Sequence, residues 1–264
     1  MTEPQTIEVD GKALEYVLHS SGDPSSPTLI FLHEGLGCLT LWRDFPEQVA
    51  AATGCNALVY SRFGYGNSAT CDLPRPTNYM HIEALSILPQ LIERLDIQKH
   101  IVVGHSDGGS IALIYAGGVR PKNLLGVITE AAHVFNESLS VQSISATREP
   151  YEQGNLRAKL KKYHGENVDC TFWGWFDVWL SADFWHWNIE SFLPAIDVPV
   201  LVIQGKDDQY GTLAQVEAIM KGIGVSAETA LFPNCAHTPH REQKALTFAA
   251  MQTFIHKLTE IHHV

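Results

Sequence analysis

Several features are scarce or missing in this chain. No stretch of its 264 residues approaches the roughly 18 consecutive apolar residues that span a bilayer, so no membrane segment is expected. Acidic residues outnumber basic ones by 29 to 18. This disfavours nucleic acid as a partner, because phosphate binding depends on lysine and arginine. The polar start, Met1-Thr2-Glu3-Pro4-Gln5, lacks the basic and apolar parts of a secretory signal, so we expect a cytoplasmic protein.

Cysteine and histidine patterns typical of metal sites are also missing. The five cysteines are scattered without a Cys-x-x-Cys pair, which predicts neither a disulfide framework nor a zinc site. His237-x-x-His240 and His262-His263 come without acids in a ligand constellation, so we expect no metal. No Gly-x-Gly-x-x-Gly or Walker sequence is present, so no nucleotide cofactor is expected either.

What the chain does contain is a regular alternation of apolar runs and amphipathic stretches. A hairpin at 6–19 is followed by predicted strands at 28–32, 57–61, 100–103, 124–129, 198–203 and 227–232, with helices at 42–53, 79–95, 108–119, 213–221 and 241–258. Such alternation predicts an α/β fold: a mostly parallel, eight-stranded sheet with helices on both faces.

The stretch 134–193 breaks this alternation and predicts an inserted helical cap. Five of the six tryptophans lie in it. We therefore expect a core domain formed by 1–133 and 194–264, interrupted by this lid. Most of the aromatic rings should form the lid's own core. A few should face a substrate pocket, since such pockets are lined by aromatics, and the candidates are Trp173, Trp179 and Trp185.

The strongest chemical motif is Gly104-His105-Ser106-Asp107-Gly108-Gly109. It follows an apolar strand and precedes a helical pattern, as a strand-turn-helix nucleophile elbow requires. The tight turn tolerates little bulk, which explains the flanking glycines. Ser106 would stand at the amino end of the next helix, where the backbone N–H of Asp107 can bind a developing oxyanion.

A serine nucleophile needs a histidine base and a carboxylate that orients it. In this kind of sheet the chain order is serine, acid, histidine. Asp207 and Asp208 lie on the turn after a late strand, and His237 follows the last strand. The downstream residues therefore match the order that the elbow requires.

At these residues the chain resembles the α/β-hydrolase superfamily over nearly all of its length. The resemblance implies the α/β-hydrolase fold with a helical cap and a Ser-Asp-His triad. It implies Asp208 rather than Asp207 as the acid, with Glu130 after the sixth strand as the remaining candidate. It implies His237, in a small-residue turn before the last helix, rather than His240.

The second oxyanion donor is less well defined. Where the family often reads His-Gly-x after the third strand, this chain has His33-Glu34-Gly35-Leu36, which leaves Gly35 and Leu36 as candidates. A carboxylate facing an oxyanion would oppose it, so Glu34, at the edge of the pocket, should point away or be neutralised. Arg62, at the end of the adjacent strand, is the predicted partner; the alternative is that Glu34 bonds only to loop backbone.

These residues predict a serine hydrolase that forms an acyl-enzyme on a small or medium carboxylic ester with an apolar or aromatic part. A small molecule is the expected partner, and no cofactor is needed. A carbon-carbon bond hydrolase acting on a ring-cleavage diketone is the main enzymatic alternative, and thioesters, lactones and amides stay open. A ligand receptor without turnover is the alternative from another class, although an intact Ser106, Asp208 and His237 set favours an enzyme.

Overall fold

The computed structural model describes residues 3–261 and is built around an eight-stranded sheet. The strands are β1 (Gln5–Val9), β2 (Lys12–His19), β3 (Thr28–Leu32), β4 (Asn56–Tyr60), β5 (His100–His105), β6 (Leu124–Glu130), β7 (Val200–Gly205) and β8 (Ala227–Phe232). Their order across the sheet is β1-β2-β4-β3-β5-β6-β7-β8. β2 is antiparallel to both of its neighbours, and the other pairs are parallel. The predicted mostly parallel sheet is therefore confirmed.

Helices cover both faces of this sheet. They are α1 (Phe45–Thr53), α2 (Tyr79–Ile82), α3 (Leu88–Arg94), α4 (Asp107–Gly118), α5 (Ser138–Ser145), α6 (Arg148–Glu152), α7 (Leu156–His164), α8 (Val168–Trp179), α9 (Leu213–Ile223), α10 (Pro239–Glu242) and α11 (Lys244–Ile261). Apolar side chains of α1 and α11 form one core cluster, and those of α3, α4 and α9 belong to the other. Because β3, β5, β6 and β7 are buried along their whole length, they read in the sequence as continuous apolar runs.

The segment between β6 and β7 carries α5 to α8 and three short 3₁₀ helices, Gly165–Asn167, Phe184–His186 and Glu190–Ala195. Its buried rings belong to the same apolar cluster as α4. At its end, the segment packs directly on that helix, because a Cβ at Gly117 would collide with the backbone carbonyl of Phe192. The division into a core and a lid at 134–193 stays a prediction.

Three predicted helices differ in detail. The helix predicted at 79–95 is interrupted by a π-helical turn, Glu83–Ile87, just before Pro89. Proline has no N–H to give to the preceding turn, and a π-turn accommodates such a break. The helix predicted at 42–53 begins at Phe45, and the last helix is divided between α10 and α11. Within residues 3–261, no helix combines the length and apolar character needed to cross a membrane.

Candidate active site

Ser106 occupies a sharp turn between β5 and α4. Its backbone is in the left-handed region, with φ 54° and ψ −117°, a conformation that is strained for a residue with a side chain. The flanking glycines are required by close packing. A Cβ at Gly104 would strike the carbonyl of Gly108, and a Cβ at Gly108 would strike the carbonyl of Leu32. The Ser106 side chain is thereby held at the carboxyl edge of the sheet, as in a nucleophile elbow.

Ser106, His237 and Asp208 form a continuous hydrogen-bonded line. The Ser106 Oγ lies 2.9 Å from His237 Nε2, and His237 Nδ1 lies 2.8 Å from Asp208 Oδ2. Burial alone would raise the pKa of Asp208, but the bond to His237 lowers it to about 2. An ionised Asp208 accepts a hydrogen bond from the Nδ1–H of His237, which leaves Nε2 unprotonated and able to take the Ser106 proton.

The candidate residues that the sequence ranked lower are placed elsewhere. Glu130 and His240 bind each other: His240 Nδ1 lies 2.9 Å from Glu130 Oε2, and both side chains are buried. The His240 ring also packs on Trp42, with 4.6 Å between ring centroids. Asp207 is exposed to solvent. The two candidates thus form a separate acid–histidine pair beside the first one.

The predicted oxyanion donors lie on two segments next to Ser106. Asp107 is the first residue of α4, so its N–H has no acceptor within the helix. On the opposite side, the Gly37 N–H donates to the Glu34 carbonyl at 3.1 Å, closing a tight turn whose central residues are Gly35 and Leu36. Gly35, Leu36 and Ser106 line the same cavity, so both candidates for the second donor stay open.

The Asp107 side chain is directed into the protein rather than towards solvent. Its carboxylate is fully buried, accepts a hydrogen bond from the Tyr79 hydroxyl at 2.5 Å and lies 3.7 Å from Arg62 Nη1. Arg62 Nη2 also donates to the Glu34 carbonyl at 2.9 Å. Arg62 therefore joins the elbow to the turn that carries the second oxyanion candidates.

The Glu34 carboxylate has a different partner from the one that the sequence predicted. Arg62 reaches only its backbone, and no ion pair between their charged groups occurs within 4.0 Å in the described chain. Instead, Glu34 Oε2 lies 3.5 Å from His105 Nδ1. The prediction is therefore corrected: the side chain that faces the Glu34 carboxylate is a histidine inside the elbow motif. The buried Arg62 is already committed to Asp107 and to backbone carbonyls.

One hydrogen bond of the His105 ring fixes the position of a proton. Its Nε2 lies 2.6 Å from the His237 carbonyl, which can only accept, so Nε2 carries a proton. Burial alone would lower the pKa of His105, but the carboxylate of Glu34 raises it. Burial would likewise raise the pKa of Glu34, whereas the His105 ring lowers it well below its usual value. Glu34 and His105 thus favour each other's charged forms.

A cavity of about 160 Å³ opens in front of Ser106. Its walls include Glu34, His133, Ile144, Trp175, Trp179 and Tyr210. Two of the predicted pocket tryptophans are not among its lining residues: Trp173 packs against Tyr151 and Phe176, and Trp185 is 46% exposed. Trp175 lines the cavity in their place. Glu34 and Trp179, also predicted as pocket residues, line this cavity, and their contact with substrate stays a prediction.

The position of Trp175 has a signal in the sequence. Residues four apart lie on the same face of a helix, so Trp175 and Trp179 lie on one face of α8. Trp173 lies on a different face of that helix. His133 has no comparable signal. It lines the cavity, and its ring lies 5.9 Å from that of His237. Burial lowers the pKa of His133 to about 3, so the ring is neutral at ordinary pH.

Two histidine segments of the sequence could suggest a metal site, His237-x-x-His240 and His262-His263. His237 and His240 bind different carboxylates. His262 and His263 lie outside the described residues. In the part of the chain that the structure describes, no three His, Cys, Asp or Glu side chains form a group suited to a metal ion.

The fold and this site define a class of protein, and comparison with known sequences agrees. The model of the Alpha/beta hydrolase family matches residues 29–250. The chain therefore belongs to the α/β hydrolase family.

Individual relatives are distant. A proline iminopeptidase from Lactobacillus delbrueckii subsp. lactis is 24% identical over 254 residues, covering 82% of this chain and 86% of the relative. A bacterial membrane phospholipase A superposes with a TM-score of 0.78 at 18% identity, covering 98% of this chain and 87% of that one. A carboxylesterase structure from the thaumarchaeon Nitrososphaera gargenis gives 0.77 at 18% identity, covering 98% and 99%. At such identities the solved structures show the fold alone.

Proposed function

We propose that this protein is a serine hydrolase that cleaves small carboxylic esters through an acyl-enzyme. The observation that carries the proposal is the hydrogen-bonded line from Ser106 Oγ through His237 to Asp208, with bonds of 2.9 and 2.8 Å. Each side chain in this line has the partner that nucleophile activation requires.

In the proposed reaction, His237 takes the Ser106 proton as the hydroxyl oxygen attacks the substrate carbonyl. Asp208 holds the imidazole in the correct tautomer and stabilises its charged form. The Asp107 N–H and the N–H of Gly35 or Leu36 bind the oxygen that becomes negative. His237 then protonates the leaving alcohol, and a water molecule repeats the attack and frees Ser106.

The Glu34–His105 pair supports this reaction in two ways. Its mutual neutralisation removes a net negative charge from the oxyanion side of the cavity. The His105 Nε2–H also donates to the His237 carbonyl at 2.6 Å, which holds the loop that carries the base. His105 is therefore proposed as a positioning residue rather than a catalytic one.

The cavity favours a small, partly apolar group. A volume of about 160 Å³ is close to that of an engineered protein cavity that holds one benzene molecule, roughly 150 Å³. Trp175, Trp179 and Ile144 supply apolar surface around it. This size favours a short acyl chain or a single ring over an extended ring-cleavage diketone. The carboxylesterase among the fold neighbours is compatible with this proposal.

A substrate panel tests the proposal. Nitrophenyl esters of increasing acyl length are compared with a thioester, a proline arylamide and a dienoic diketone, each with wild-type protein and with Ser106→Ala. We expect a burst of nitrophenol and turnover with the short esters, declining as the acyl group outgrows the cavity, and none with the variant.

Each other outcome contradicts a specific part of the proposal. Preferred turnover of the diketone or of the arylamide would replace the ester assignment while leaving the nucleophile in place. Ester turnover that persists in Ser106→Ala would overturn the nucleophile itself. Saturable ligand binding without turnover of any compound would favour the receptor alternative.

A further inference from the structure

Two cysteines that are far apart in the sequence meet outside the proposed active site. Cys71 lies in the loop between β4 and α2, and Cys170 lies on α8; their Sγ atoms are 2.6 Å apart. Both are free thiols. Direct contact of two sulfur atoms is the geometric precondition for a bond between them. Their scattered positions in the sequence gave no indication of this contact.

The surroundings of the pair stabilise a thiolate. Arg75 is buried, and its Nη2 lies 3.1 Å from Cys71 Sγ. Among residues 3–261, Arg75 takes part in no ion pair with a carboxylate within 4.0 Å. Its other hydrogen-bond partners are the neutral Tyr65 hydroxyl and the Phe63 carbonyl. A shared thiolate on Cys71 and Cys170 would give this buried cation its missing negative partner.

The pKa shifts of the two thiols agree with this geometry. The hydrogen bond with Cys71 lowers the pKa of Cys170 to about 5, although burial opposes the shift. The same bond, together with burial, raises the pKa of Cys71. The Cys170 thiol therefore ionises more readily than the Cys71 thiol, to which its sulfur is hydrogen-bonded. A thiolate beside a thiol is the reactive form for oxidation to a disulfide.

An oxidant can reach the pair. Cys71 is only half-buried, and it lines a cavity of about 270 Å³ together with Arg75, Tyr65 and Lys12. By contrast, Cys38, Cys55 and Cys235 are buried and each lacks a cysteine partner in the described chain. Cys71 and Cys170 are therefore distinguished from the other three by their pairing, and Cys71 gives the pair access to solvent.

We infer that Cys71 and Cys170 form a peroxide-sensitive thiol pair that closes to a disulfide and ties α8 to the loop before α2. A thiolate of the pair attacks one oxygen of hydrogen peroxide, forming a sulfenic acid and releasing hydroxide. The second sulfur then displaces hydroxide from the sulfenic sulfur. The sum is two thiols and one peroxide giving one disulfide and two water molecules, with two electrons passing from sulfur to oxygen.

A disulfide between Cys71 and Cys170 would join α8, which lines the cavity of Ser106, to the loop before α2. α8 already rests on the loop through Thr171 Oγ1, which donates to the Gly64 carbonyl at 2.8 Å. At its other end, the helix carries Trp175 and Trp179 into the cavity of Ser106. A covalent bond between positions 99 residues apart also constrains the unfolded chain strongly.

The test uses the whole chain and does not depend on hydrolysis. Reduced protein is treated with a slight excess of hydrogen peroxide, and its thiols are counted after denaturation. We expect a fall from five thiols to three, and mass spectrometry of a digest should find the peptides of Cys71 and Cys170 joined. The joined form should melt roughly 5 to 15 °C higher than the reduced form, and dithiothreitol should reverse this shift.

Matched variants make the test specific. Cys235→Ala should still lose two thiols, whereas Cys170→Ser and Cys71→Ser should lose none at the same dose and should show no reversible melting shift. Since Cys71 lies in a half-exposed loop, its variant covers the case in which Cys170→Ser does not fold. The inference is overturned if the two thiols stay reduced, if they become separate sulfinic acids, or if the other three cysteines oxidise equally fast.

Discussion

Two acid–histidine pairs lie side by side in this molecule and differ in what the histidine meets. Asp208 binds His237 at 2.8 Å, and Glu130 binds His240 at 2.9 Å. His237 is partly exposed and lies 2.9 Å from the Ser106 hydroxyl. His240 is buried and packs on the Trp42 ring. The same chemical pair is thus placed once in front of a nucleophile and once inside the core.

The comparison shows that the acid–histidine bond alone does not define a catalytic site. Burial without a reactive neighbour makes such a pair a structural link, in this case between the end of β6 and the start of the last helices. His105 lies between the two, with its ring centroid 5.2 Å from those of both His237 and His240. Substituting matched members of the two pairs should separate catalysis from stability.

The largest effect is expected at the two histidines. His237→Gln should lower kcat for a short nitrophenyl ester by roughly 10⁵ to 10⁶-fold, because Ser106 loses its base. His240→Gln should leave kcat within about threefold. Steady-state kinetics measures both, with circular dichroism as a check on folding. Equal losses of kcat in two folded variants would contradict the proposed difference between the pairs.

For the two acids, Glu130 and Asp208, we expect the larger loss of stability at Glu130 and the larger loss of activity at Asp208. Glu130→Gln should lower the free energy of unfolding by roughly 2 to 3 kcal/mol, because it disrupts the buried hydrogen bonds between the carboxylate and His240. Asp208→Asn should change stability less but lower kcat by roughly 10⁴-fold, since the imidazole loses its orientation. Urea unfolding and ester kinetics on both proteins measure these effects. A catalytic loss in Glu130→Gln as large as in Asp208→Asn would reassign the acid.

His133 should lower the free energy of unfolding of the protein at acid pH. Burial lowers its folded-state pKa to about 3, whereas an unfolded histidine titrates near about 6.5. The stability it contributes is complete above the unfolded value and is lost as the pH falls below it, by roughly 2 kcal/mol at pH 5. His133→Gln should therefore lose less stability than wild type between pH 7.5 and 5. The exposed His186→Gln should follow wild type; a parallel course for all three proteins would refute this expectation.

The smallest effect concerns the pocket wall. Trp175→Phe should change kcat/KM for short esters about three- to tenfold, because the ring lines the cavity. Trp185→Phe should leave kcat/KM within twofold, since that side chain is 46% exposed and lies off the cavity. A series of acyl lengths assayed on both variants measures this contrast. An equal response of the two variants would remove Trp175 from the substrate site.

The sequence predicted the sheet well because its central strands are buried on both faces and therefore read as apolar runs. It also ordered Ser106, Asp208 and His237 along turns at one edge of that sheet, and the structure brings them together. Their catalytic roles stay a prediction. The predicted helices 79–95 and 241–258 are each interrupted in the structure, near Pro89 and at Gln243. Their apolar periodicity continues across these interruptions, so it did not reveal them.

Contacts between distant segments could not be predicted from a single sequence. Glu34 and His105 are 71 positions apart and Cys71 and Cys170 are 99 apart, and neither pair has a spacing that marks it. Arg62 was the predicted partner of Glu34 because it comes at the end of the adjacent strand in the sequence, yet it is held by Asp107 and by backbone carbonyls instead. Which cation reaches a carboxylate depends on side-chain packing, which periodicity does not encode.

The most direct test of the central claim is covalent labelling of the nucleophile. Wild-type protein is incubated with a fluorophosphonate probe, digested and mapped by mass spectrometry, with Ser106→Ala, His237→Gln and His240→Gln alongside. The account predicts one label per chain on Ser106, none in Ser106→Ala, much slower labelling in His237→Gln, and near wild-type labelling in His240→Gln. Labelling that persists in Ser106→Ala, or that maps to another residue, would contradict it.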